Sequence, residues 1–132
     1  MILPDAEPTE AGGLAIYDNF KALIDAIYRL GRIGAVTTAG TITVDTADYS
    51  VADITANGNV TLGTFQNSVN GYKLLLRIKN NTGGVITVTP NSEVRFGSGI
   101  TSLSNIPSGK IGYIGLVYTE SKWDVLLNEV GY

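Results

Sequence analysis

The chain predicts a mainly β protein: an antiparallel β-sandwich or jelly-roll-like domain, preceded by an N-terminal extended arm and one α-helix. Three observations carry that expectation. From Ala35 onward apolar residues recur with period two, the spacing of a half-buried strand. Short clusters rich in Gly and Asn separate those runs, as tight turns do. Between Leu14 and Leu30 the apolar spacing is instead three and four, which is helical.

The arm, Met1 to Gly13, carries an apolar tip of Met1, Ile2 and Leu3, then three acids (Asp5, Glu7 and Glu10) and no base. Pro4 and Pro8 disfavour a regular helix and favour extended backbone. Such a segment reads either as a loose leader or as a tether that docks on a neighbouring subunit.

Residues 14–34 read as a helix and its linker. Ile16, Phe20, Leu23, Ile24 and Ile27 form one apolar stripe, with Ala22 and Ala26 as strong helix formers. Asp18 suits the positive N-terminal end, Arg29 the negative C-terminal end, and Gly31 a left-handed stop. The stripe can cover a sheet of its own chain or pack against copies of itself around an oligomer axis.

Residues 35–132 read as the β domain. Strand runs are expected at residues 41–45, 59–62, 73–79, 85–89, 94–96, 111–118 and 123–128. Their apolar faces are Ile42 with Val44, Val60 with Leu62, and Leu74 with Leu76 and Ile78. Further along they are Ile86 with Val88, Ile114 with Leu116 and Tyr118, and Trp123 with Val125 and Leu127. Asn80-Asn81-Thr82-Gly83-Gly84 is expected to supply the positive φ angles of a hairpin. Thr119 to Lys122 is a short polar link between two further strands. The whole is expected to run as an antiparallel meander, and with no helix between strands a doubly wound parallel fold is not expected.

Composition narrows the function. At 132 residues the chain suits one domain. Charged residues make up 16%, below the usual share of about 25%, which suits either a subunit that buries part of its exterior or a plain β domain rich in Thr, Asn and Gly. The net charge is −3 and no Lys/Arg cluster stands out, so nucleic acid is not an expected partner. No basic start with an apolar run, and no apolar stretch long enough to span a bilayer, is visible, so a protein made in the cytoplasm without a membrane partner is expected.

The chain contains no His and no Cys. That removes imidazole acid–base chemistry, Ser–His triads, thiolates and disulfides, and no catalytic residue or cofactor is nominated. Asp45, Asp48 and Asp53 are the densest acids, but they lack the spacing of a calcium-binding loop and read as solvated acids at strand ends. Tyr49 and Tyr72 adjoin turns and are the first candidates for stacking on a glycan. Trp123 opens a strand on an apolar face and is expected in the core.

The stretch Tyr72–Pro90, strand–NNTGG–strand, resembles small β-modules of tailed-bacteriophage virion proteins. So does the closing pattern Gly115-Leu116-Val117-Tyr118, a polar turn, then Lys122-Trp123-Asp124-Val125-Leu126. The resemblance covers roughly residues 41 to 128. It implies a viral structural protein, a homotrimer, in one of two roles. One is a capsid decoration or cement protein that binds the major capsid protein and stabilises the shell. The other is a short head or tail fibre with a receptor-binding, glycan-reading tip. The absence of shaft repeats ahead of the β domain favours decoration. The expected interface is the arm tip Met1, Ile2, Leu3 and Pro4 with the stripe Ile16, Phe20, Leu23, Ile24 and Ile27, the arm pairing with a strand edge on the shell.

Overall fold

A computed structural model of the chain describes residues 18–21 and 33–132. Those residues form a mainly β body with one short helical piece at 18–21. The strands are β1 (Ile33–Thr38), β2 (Thr41–Ile42), β3 (Val51–Ala56), β4 (Val60–Leu62) and β5 (Lys73–Asn80). They continue as β6 (Val88–Thr89), β7 (Val94–Arg95), β8 (Ile111–Thr119) and β9 (Lys122–Val130).

The strands make two mixed-origin sheets around one core. A six-stranded sheet runs in the order β1-β3-β5-β8-β9-β7, and a three-stranded sheet in the order β2-β4-β6. Through β6 the chain alternates between the sheets, so each return lays a strand beside the last in the same direction. β1, β3 and β5 therefore pair in parallel, as do β2, β4 and β6. The result is a flattened coil of three turns. β8 then pairs antiparallel with β5, and β9 antiparallel with β8.

Alternation decides what each strand buries. Ala52, Ile54 and Ala56 on β3 and Leu74, Leu76 and Ile78 on β5 point inward and are buried. Ile42, Val60, Leu62 and Val88 meet them from the smaller sheet, and Ile114, Leu116, Trp123 and Val125 complete the same cluster. Parallel register stacks like on like, as with Ile54 beside Ile78 and Ile42 beside Leu62. Burying a side chain of this size contributes roughly 1.5–3 kcal/mol.

Two expectations are corrected. Pairing is not antiparallel throughout, and Lys73–Asn80 and Val88–Thr89 are not partners in a hairpin, because they lie in different sheets. The segment between them turns a corner. None of residues 80–84 takes a positive φ; the corner is built on the side chain of Asn80, which is fully buried. Its Nδ2 donates to the carbonyls of Gly84 (2.7 Å) and Ile106 (2.9 Å), while its Oδ1 accepts from the Thr82 N–H (2.9 Å) and hydroxyl (2.7 Å). A buried amide so fully satisfied holds the chain direction that a Gly turn was expected to set.

β1 and β3 are the elements that the strand runs above omit. The inward residues of β3 are mostly Ala, so its period-two pattern has low apolar contrast. The closing hairpin at 111–130 does form as expected. Glu120 and Ser121, at φ 53° and 61°, make its two-residue turn, the left-handed pair that matches strand twist. Leu127 does not share a face with Trp123 and Val125. A bulge opposite Gly115 and Leu116 inserts one residue in β9, and the shift turns both Leu126 and Leu127 outward.

Candidate functional site

The outward face of the six-stranded sheet is the surface on which the described residues gather unspent chemistry. It is organised in rows by register. Val51, Leu75, Gly115 and Leu127 lie side by side on β3, β5, β8 and β9, and the backbone of Ile33 on β1 joins the same row. The next row is Asp53, Arg77, Tyr113 and Glu129.

The apolar row opens into a cleft of about 220 Å³, lined by Ser50, Lys73, Leu74, Leu75, Gly115, Leu116 and Leu126. Its shape follows from two local features. Gly115 carries no side chain, which lets Leu127 close over it from β9; a Cβ there would meet the Leu127 Cβ at 3.1 Å. The bulge lifts Leu126 to the rim, where it is 60% exposed, with Leu127 39% exposed beside it. Lys73 is exposed at the same rim and makes no ion pair among the described residues.

Three members of the polar row, Asp53, Arg77 and Tyr113, hold one another. Arg77 donates to Asp53 at 2.7 Å. That bond, helped by Tyr113, raises the guanidinium pKa above its ordinary value, so Arg77 stays charged. The Tyr113 ring meets Tyr132 edge-to-face at 5.4 Å, and the chain end is tied to β8 through Ile111. At the far edge Arg95 grips Asp124 with two donors, at 2.5 and 3.0 Å, and Glu120 at 3.1 Å. The Arg95 contact, with the Thr119 hydroxyl, holds the Asp124 carboxyl below its ordinary pKa.

The nominated residues fall as follows. Phe20 lies in the helical piece and is 49% exposed. The rest of the nominated interface, Met1, Ile2, Leu3, Pro4, Ile16, Leu23, Ile24 and Ile27, lies outside the described residues. Tyr49 and Tyr72 are brought together, but by structure-holding contacts: the Tyr72 hydroxyl donates to the Tyr49 carbonyl at 2.6 Å, and the Tyr72 ring packs on the core. Asp45 accepts from the Ala47 N–H and from Asn67, whereas Asp53 sits on the outward face bonded to Arg77. Among the described residues no cluster of three acids forms that could hold a metal ion. Trp123 is fully buried, edge-on to Phe65 at 5.5 Å.

Sequence reasoning missed the apolar row. Val51 belongs to the overlooked β3, and Leu126 was assigned no face because the bulge has no local signature. Gly115 stands within an expected strand, where nothing local marks that Leu127 closes over it from the neighbouring strand. No protein-family model, curated protein or solved structure matches the chain.

Proposed function

We propose that this chain is a non-enzymatic structural subunit of a bacteriophage particle. In that role it is a capsid decoration or cement protein that works as a homotrimer and is assembled onto the virion after synthesis in the host cytoplasm. The observation that carries the reading is the outward apolar row, Val51, Leu75, Leu126 and Leu127 beside Gly115. Among the described residues the core is closed without it, and Leu126 and Leu127 stand exposed on its outer side. Contiguous apolar surface of that kind marks sites of protein association.

Two sheets that share one buried core support the sandwich-like body that this role asks for. Half exposure of Phe20 supports packing of the 14–30 stripe against other subunits rather than wholly on its own domain. Resemblance of the NNTGG unit and the closing hairpin to phage virion modules supports the setting.

Stabilisation would work by mass action. A subunit that binds only the assembled shell lowers the free energy of that state, so dissociation must also break its contacts. A specific interface of this type buries roughly 1,600 Å² in total.

The test is stoichiometry in purified particles carrying the protein, by quantitative mass spectrometry against the major capsid protein. Copies numbering tens to hundreds, with lower shell stability when the protein is absent, are the expected result. A few copies confined to the tail would favour the short-fibre alternative, and absence from particles would reject both.

A further inference from the structure

Resting on the assembly reading above, we propose that the cleft at Leu75, Gly115 and Leu126 receives the N-terminal arm of a second copy of this chain. Leu3 fills the cleft, and Asp5 lies beside Lys73.

The chemistry of the cleft selects its occupant. Five of its lining residues are Leu or Gly, with Ser50 at one side and the Lys73 ammonium at the rim. It therefore takes an aliphatic side chain followed closely by an anion. The arm offers that pairing: Leu3 and Asp5 are two residues apart, so on extended backbone they point the same way about 6–7 Å apart. Pro4 between them favours that extended form.

Charge extends the match. The arm has three acids and no base, while Lys73, Arg77 and Lys79 alternate along the outward side of β5. Arg77 is held by Asp53, which leaves Lys73 and Lys79 without an ion pair among the described residues.

Position favours a second copy. The chain joins the sheet at Ile33, on the same register row as the cleft. The helix that periodicity predicts for residues 14–30 would span about 25 Å, room enough for the arm to reach a neighbouring copy. Phe20, the described member of their stripe, is left half exposed by its own chain. A stripe buried between subunits delivers each arm to its neighbour.

The natural absence of cysteine makes a clean test possible. In full-length protein carrying Leu3→Cys and Leu126→Cys, mild oxidation is expected to give covalent oligomers on non-reducing gels, while either single variant does not form that ladder. A bond within one chain, seen as a monomer two mass units lighter, would overturn the second-copy assignment. A charge test accompanies it on the same background. Asp5→Lys or Lys73→Glu alone is expected to slow crosslinking about two- to fivefold, and the two together to restore it. No crosslink and no charge dependence would overturn the docking. Native mass, measured on the same samples without oxidation, separates this failure from that of the assembly reading: an oligomer without the crosslink keeps the assembly and loses only the arm's place in it.

Discussion

Two turns, the corner at 80–85 and the hairpin turn at 119–122, exchange the roles that their compositions suggest. The first is rich in Asn and Gly, yet none of residues 80–84 takes a positive φ, and it passes the chain from one sheet to the other. The second contains neither Gly nor Asn, yet Glu120 and Ser121 both take left-handed backbone and reverse the chain within a sheet. Tertiary structure accounts for the exchange. The corner is dictated by a buried amide and the sheet it leaves, whereas the hairpin is dictated by the β8–β9 pairing on either side of it. Local turn chemistry is a preference of order 1 kcal/mol per residue, and either environment outweighs it.

Trp123 ties the hairpin to the coil that precedes it, packing against Phe65 in the link that leaves β4. Trp123→Ala is expected to give the largest loss, about 3–5 kcal/mol, read by denaturant unfolding. Trp123→Phe should cost far less, because the indole N–H finds no hydrogen-bond acceptor among the described residues and its removal sacrifices no bond. Equal losses for the two variants would mean that the ring is not the joint between coil and hairpin.

Asn80→Ala comes next, at about 2–3 kcal/mol, because it removes the buried amide's bonds to the Gly84 and Ile106 carbonyls and frees the Thr82 turn. Hydrogen exchange should then rise first around 81–87. A loss within a few tenths of a kcal/mol would show that the corner is held by its Gly residues after all.

Replacing Glu120-Ser121 by Asn-Gly is expected to stabilise the hairpin by about 1 kcal/mol, since these residues accept left-handed backbone most readily. No gain would mean that the pairing already absorbs the strain.

The smallest effect belongs to the exposed Arg95 clamp, which joins β7 to β9. Because the folded-state pKa of Asp124 is depressed, its contribution is present above the ordinary carboxylate range and lost as pH falls through the depressed value. Arg95→Ala should therefore lower the unfolding midpoint slightly at pH 7. It should match the parent protein once Asp124 is protonated, well below about pH 4. A deficit that persists in acid would point to lost packing of the Arg95 stem.

Much of the inner half of the fold was legible from single strands. The alternation of Leu74, Leu76 and Ile78, or of Ile114 and Leu116, says which side faces the core whatever the partner strand. Direction of pairing was not, because parallel and antiparallel neighbours ask for the same alternation and only the route of the connection differs. β3 escaped notice because Ala52 and Ala56 fill the tight interior with little apolar contrast. The outward site was hardest to see. Its row draws one residue from each of several strands, and its cleft depends on a glycine and a bulge brought together by pairing.

The proposed assembly rests on the contrast between a closed inner face and an exposed apolar outer one, and native mass tests it most directly. Light scattering or sedimentation of the isolated full chain should give the mass of a trimer, and Leu126→Asp should reduce it to a monomer with unchanged strand content by circular dichroism. A parent protein that stays monomeric at every accessible concentration, or a Leu126→Asp variant that assembles as the parent does, would contradict the claim.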